Sequence, residues 1–259
     1  MKVTLRSIGF RAVTDRARIS AVTHGDLAFH NPLAPDRLDE VVARAGPGPG
    51  DRVLDVGCGA GELLIRLAER FGVAGLGVDA AEVQVQEARR RAAERVPDAD
   101  LEFVVADAGS AGVLGAGPYP LVSCVGSLHA LDGNLGRLAE LAAPGGHVLL
   151  GDGFWRRPPE PPYLEALGAT ADELPDYAGL LRGGEAAGLE PVYAAVTTEQ
   201  EWERYEWTLI HNGVRWADAH PDDPLAPDVR AWAVRARDRV LVPGGRDTLG
   251  FALVLFVRR

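Results

Sequence analysis

The chain has 259 residues, enough for one large α/β domain or one domain with a sizeable insertion, and its 37 acidic against 27 basic residues give a formal net charge of −10. That sign repels phosphate backbones and anionic membranes, so neither nucleic acid nor a membrane is expected as a partner. Lys2 is the only lysine, which argues against a Schiff-base enzyme and leaves no GxxxxGK(S/T) phosphate loop; Cys58 and Cys124 form no CxxC pair, so no disulfide framework and no metal site is expected. A reducing cytoplasm is the expected location, and the alanine- and arginine-rich composition hints at a GC-rich bacterial source.

In chain order, residues 1–46 read as an N-terminal cap ending in a lead-in helix, "DRLDEVVARA", with Pro35 before it and Gly46 after it. "GPGPG" breaks the chain. "RVLDVG" then reads as a buried strand and "AGELLIRLAERF" as a helix. Strand "AGLGVD", a helix from about Glu82 to Arg95, strands "LEFVVAD" and "YPLVSCVG", helix "NLGRLAELAAP" and strand "GGHVLLGD" follow. This alternation predicts an α/β fold with a parallel sheet covered by helices on both faces. From Gly153 the proline-rich stretch to Tyr177 is expected to be loop at its start. A helix near Leu180–Ala187, strand "LEPVYAAV" and last strand "TLGFALVLFVRR" complete the pattern. Between these two strands, residues 197–245 carry two helical patterns, far more chain than a hairpin needs, and are expected to form a helical insertion that acts as a cover. The whole chain, 1–259, reads as one domain.

The glycines at Gly57, Gly59 and Gly61 fall as GxGxG, and Glu62 stands where a GxGxxG dinucleotide fingerprint needs its third glycine, so the spacing disfavours NAD. Asp55 ends the first strand, where it would either accept from an ammonium group or cap the next helix. Asp79 ends the second strand at a distance suited to both hydroxyls of a ribose, and Asp107 ends the third, as an adenine contact or a turn residue. Acids at three consecutive strand ends favour a ligand over three separate caps, because ligands of open α/β sheets bind at that edge.

In order and spacing, "VLDVGCGAG", "GLGVD", "VVADAG", "PLVSCVGSLHAL" and "PGGHVLLGD" resemble the motif series of class I S-adenosylmethionine-dependent methyltransferases, especially small-molecule enzymes such as those of quinone biosynthesis, over about residues 35–195. The resemblance implies a Rossmann-like, seven-stranded, mostly parallel sheet with an antiparallel last strand. It implies S-adenosylmethionine as cofactor and S-adenosylhomocysteine as product. Asp55 and the backbone of Gly57, Cys58, Gly59 and Gly61 would face the methionine portion, Asp79 with Ala80 the ribose, Asp107 with Ala108 the adenine, and Val125 with Gly126 the amino group or sulfonium surroundings. The N-terminal extension and the long insertion depart from the minimal pattern, which leaves the acceptor open.

Methyl transfer is an in-line displacement that needs a base only if the acceptor carries a proton. His129 is the first candidate base and Asp152 the second; each reads equally as a pocket or capping residue. His24 and His30 precede the lead-in helix and read as acceptor-lining or structural. Trp155, Tyr205, Trp207 and His211 could line a pocket for a ring-bearing or lipophilic small-molecule acceptor, although part of the aromatic stripe must seat the insertion on the sheet. Two other readings use the same motifs: an enzyme that exploits the sulfonium without moving its methyl group, such as a cyclase or decarboxylase, and a non-catalytic cofactor-binding protein. The oligomeric state stays open, a homodimer included.

Overall fold

The computed structural model describes residues 13–259 apart from Asp26 and Ala111, so the first twelve residues of the expected cap lie outside the described part. Seven strands, β1 (Arg52–Val56), β2 (Ala74–Asp79), β3 (Leu101–Val105), β4 (Tyr119–Val125), β5 (Ala142–Trp155), β6 (Leu189–Val196) and β7 (Leu249–Arg258), form one sheet in the order β3-β2-β1-β4-β5-β7-β6. β1 to β5 pair in parallel, and β7 runs antiparallel to both neighbours, β5 and β6. The expected Rossmann-like architecture is therefore present.

The sheet is apolar on both faces because its central strands are buried twice over. Val53, Leu121 and Leu149 join one core layer with α2 (Pro35–Ala45), α3 (Glu62–Phe71) and α4 (Glu82–Arg95); their neighbours Leu54, Val122 and Leu150 join the other with α5 (Leu135–Leu141) and α7 (Tyr177–Ala186). This period-two split of each strand places the helices on opposite faces and sends every strand-to-helix turn to one edge.

Three elements differ from the sequence expectation. β5 runs on through Gly153 to Trp155, where a loop was expected, because the long β7 supplies a partner: Phe154 pairs with Gly250 and Trp155 with Leu249. A Cβ on Gly250 would lie 2.6 Å from the Phe154 ring, so the strand extension depends on that glycine. The proline-rich stretch holds a short helix, α6 (Pro161–Leu167), whose two prolines occupy its first turn, the one place where a missing N–H costs nothing. Ahead of the lead-in helix, α1 (Val13–His24) is a further helix, one without a periodic apolar stripe to announce it.

The insertion is helical: α8 (Glu199–Ala219) begins at a reciprocal capping box, Thr198 with Glu201, and is followed by α9 (Ala226–Leu241). Ile19 of α1 packs with Ala217 of α8 and with Leu225, Ala226 and Val229 at the start of α9, so three helices distant in sequence form one small core beside the sheet. None of the described helices is long and apolar enough to cross a membrane.

Candidate active site

β1 hands over to α3 through Gly57–Gly61, and Gly57 N and Cys58 N both donate to Val78 O of β2, at 2.8 and 3.1 Å. Gly57 has φ +72°, and a Cβ there would lie 2.2 Å from the Ser127 side chain, so this turn accepts glycine alone. Gly59 differs. At φ +52°, the one described atom within 4 Å of its missing Cβ is His30 Nδ1, at 3.9 Å, and Gly126 has none. These two backbone faces are open to a ligand.

The three carboxylates lie at graded depth along this edge. Asp55 is only 3 % exposed and accepts from Ser123 Oγ of β4 at 2.7 Å; burial, and secondarily the Asp79 charge against the Ser123 bond, push its carboxyl up to about 7. Asp79 is half-buried, with Oδ2 accepting from Gly59 N (2.9 Å) and Oδ1 from Ala81 N (2.8 Å). A carboxylate offers about four acceptor sites, so two remain for the paired hydroxyls of a ribose. Asp107 is exposed and accepts from Gly109 N at 2.9 Å, leaving Oδ2 unused among the described residues. Val105, in register with Asp79, and Val83 of α4 are both exposed, giving this outer end two apolar side chains. Depth, charge and free acceptors fit a cationic amino-acid moiety inside and a nucleoside outside. Ala80 follows Asp79 directly, and Ala108, beside Asp107, is buried.

Val125, half-buried, and Gly126 end β4; Gly126 N donates to Gly151 O at 2.7 Å, tying this turn to β5. His129 sits on the one-turn helix Leu128–Leu131, exposed, and its ring makes no hydrogen bond to the described residues. Partial desolvation and then the Arg16 charge lower its pKa, against a smaller opposite pull from Asp79. Asp152 of β5 accepts from Gly153 N at 2.8 Å, and burial raises its carboxyl to about 6.

A second group reaches the glycine loop through His30, whose Nδ1 lies nearest the open face of Gly59. His24 of α1 and His30 lie with ring centroids 4.5 Å apart, and His24 Nε2 is 2.8 Å from the Tyr205 hydroxyl of α8. Burial holds His30 near pKa 3, helped by His24 and the Arg91 charge, so this wall is uncharged at neutral pH. His24, His30 and Tyr205 thus come together from sequence positions up to 181 residues apart.

Three other candidates do not join them. Trp155 is buried in the sheet, its indole N–H donating to Ala171 O at 2.9 Å. Trp207 is 45 % exposed and His211 is exposed too. Four residues apart, they share a face of α8 that points away from the Tyr205 side.

Sequence reasoning missed Ser123, the partner of Asp55, although a serine inside the apolar "LVSCV" was a signal. It also gave no role to the acid of Glu62. Glu62 is 6 % exposed and accepts from Arg66 Nε (2.8 Å) and, from α4, Arg95 Nη1 (2.6 Å), which clamps the loop's exit to the neighbouring helix. Replacing Gly59 with alanine tests the open loop face. We expect a loss of about 1–2 kcal/mol from the left-handed backbone and roughly tenfold weaker S-adenosylhomocysteine binding by calorimetry; unchanged affinity would mean that no ligand approaches there.

Comparison with known proteins follows the same lines. A family profile described as a methyltransferase domain matches residues 53–146. An uncharacterized Escherichia coli K12 protein, YjhP, is 30% identical over 251 residues, 95% of this chain and 100% of that one. The structure of a SAM-dependent methyltransferase from Thiobacillus denitrificans in complex with S-adenosyl-L-homocysteine superposes with a TM-score of 0.83 at 30% identity, covering 93% of this chain and 98% of that one. The 27-O-demethylrifamycin SV methyltransferase of Amycolatopsis mediterranei is 33% identical over 177 residues, 61% of this chain and 60% of its own length.

Proposed function

The chain belongs to the S-adenosylmethionine-dependent methyltransferases, with S-adenosylmethionine as cofactor, and from that premise we propose that it methylates a hydroxyl oxygen of an uncharged, ring-bearing small molecule. The observation that carries the acceptor class is the wall beside the glycine loop: His24, His30 and Tyr205 are neutral, polar and partly apolar, and Arg91, whose charge reaches His30, is paired with Glu87 at 2.7 Å, while the Arg16 charge bears on the His129 end. Relatives named as O-methyltransferases, which match about half of this chain, support oxygen as the nucleophile.

In this reading the sulfonium supplies the electrophilic methyl carbon. Asp79 holds the ribose, Asp107 with Ala108 the adenine, and Asp55 with the loop Gly57–Gly61, Val125 and Gly126 the methionine end. His129 and Asp152 border the acceptor. The protein's main task is to hold two reactants in line and keep water out, and the helices of the N-terminal cap and the insertion serve as the cover that does so.

The test is incubation with S-adenosylmethionine and a panel of hydroxylated aromatic, quinol and macrocyclic compounds, followed by mass spectrometry. We expect one S-adenosylhomocysteine released per product gaining a CH2 unit. Methylation confined to amines or carbon acids would overturn the choice of oxygen, and a product formed without S-adenosylhomocysteine would point to a reaction that keeps the methyl group.

A further inference from the structure

We propose that the acceptor's proton leaves through Tyr205 to His24, making these two side chains a proton relay across the cofactor cleft; the inference rests on the hydroxyl-acceptor reading above. The distances favour one direction for each bond, the 2.8 Å contact of His24 Nδ1 with Ser20 O outweighing its 3.3 Å contact with Ser20 Oγ. His24 Nδ1 lies 2.8 Å from Ser20 O, and a carbonyl can only accept, so Nδ1 carries hydrogen. In the neutral ring Nε2 then has a lone pair, 2.8 Å from the Tyr205 hydroxyl, which donates to it. The Tyr205 oxygen keeps its own lone pairs for a donor from the acceptor side. The His30 carbonyl, 3.2 Å from the same hydroxyl, waits as the alternative partner.

Proton arrival completes this arrangement without moving a heavy atom. Once Nε2 is protonated it donates to Tyr205, whose own hydrogen turns to His30 O, and Nδ1 keeps Ser20 O. All groups are satisfied in both states. Burial raises the Tyr205 pKa, with Glu206 adding to it, so the phenol passes the proton on and does not store it. Around His24 stand the uncharged Ser20 of its own helix, Tyr205 of α8 and His30; the charges that bear on these partners are Arg91 of α4, acting on His30, and the Glu206–Arg239 ion pair (2.9 Å), whose members pull the Tyr205 pKa in opposite directions. His129, by contrast, has no described hydrogen-bond partner to fix its ring.

The acceptor's O–H bond breaks and its oxygen forms the O–CH3 bond; the S–CH3 bond breaks, with its electron pair staying on sulfur. The acceptor's proton goes to Tyr205 Oη while the Tyr205 proton goes to His24 Nε2. One positive charge disappears from sulfur and one appears on imidazole, so the cleft's net charge is unchanged. A sulfonium nearby depresses the imidazole pKa before transfer and releases it afterwards, which makes His24 a better proton holder only once the methyl has moved.

Histidine-labelled protein studied by nitrogen-15 NMR tests this without an acceptor, using S-adenosylmethionine and S-adenosylhomocysteine as the two probes and calorimetry to verify that each binds. We expect the Nδ1–H tautomer at His24, a displaced Nε2 resonance in Tyr205→Phe, and a His24 pKa about one unit lower with S-adenosylmethionine than with S-adenosylhomocysteine. The opposite tautomer, equal pKa values in the two complexes, a His24 that stays neutral to pH 5 in both, or a cofactor-dependent shift at His129 and not at His24 would each overturn the relay. Failure of the hydroxyl panel would instead strike the acceptor reading while leaving these spectra unchanged.

Discussion

Asp79→Ala is expected to weaken S-adenosylhomocysteine binding by about a hundredfold or more at neutral pH. The carboxylate spends one lone pair on Gly59 N and one on Ala81 N, so its remaining acceptors point where the ribose hydroxyls would lie. Losing two bonds to a charged acceptor, at about 1.5–3 kcal/mol each, removes about 3 kcal/mol or more, and tenfold in affinity corresponds to about 1.4 kcal/mol. The same change frees the loop at Gly59 and the start of α4, so a further loss of about 1–2 kcal/mol in folding stability should accompany it. Asp79→Asn separates the two effects, since an amide oxygen still accepts one backbone bond; it should bind about tenfold more weakly than the parent with less loss of stability. Calorimetric affinity of Asp79→Ala within threefold of the parent would remove the ribose from this position. Asp107→Ala, at an exposed side chain, should cost about tenfold or less.

The parallel half of the sheet was legible because buried strands write themselves as short apolar runs, and the acids at their ends stand out against such runs. Asp55, Asp79 and Asp107 needed only that contrast and the strand-end rule to be placed on one edge. The strand extension to Trp155 was not legible, since it depends on β7 pairing from about a hundred residues away and on Gly250 making room for Phe154. Proline content alone gave the wrong weight to Pro161 and Pro162, which start a helix as readily as they forbid its middle. On α8 the sequence held more than was taken from it. Tyr205 and Trp207 are two positions apart, about 200° around a helix, so both could not face one pocket. What no local pattern could supply was the meeting of His24, His30 and Tyr205, which requires α1 to pack on α8 through the Ile19 core and Asn212 to donate to Thr23 O, at 3.0 Å.

Affinity for S-adenosylmethionine should rise steeply with pH between about 5 and 7 and level off above, with Asp55 as the cause. Its carboxyl is pushed up to about 7, chiefly because burial disfavours the anion. At pH 5 about one apo molecule in a hundred then carries the carboxylate, so a cation that needs it binds up to about a hundredfold more weakly than at pH 8. The same shift acts on folding with a fixed sign. The folded-state value exceeds the unfolded one, near 3.9, so the unfolded chain gives up the proton first. Stability of the apo protein from this group is therefore full below about pH 4, falls as pH rises toward 7, and is lower above that by on the order of 4 kcal/mol. Asp55→Asn should flatten both curves at once. At pH 8 it should melt higher than the parent without ligand and bind S-adenosylmethionine more weakly, while any titration of the ligand itself persists in the variant and subtracts out. A parent affinity that stays level from pH 5 to 8 would mean that Asp55 is ionised before the ligand arrives, or that no cation comes near it. The opposed movements of melting temperature and affinity distinguish a carboxylate kept under strain for its ligand from one that simply supports the strand.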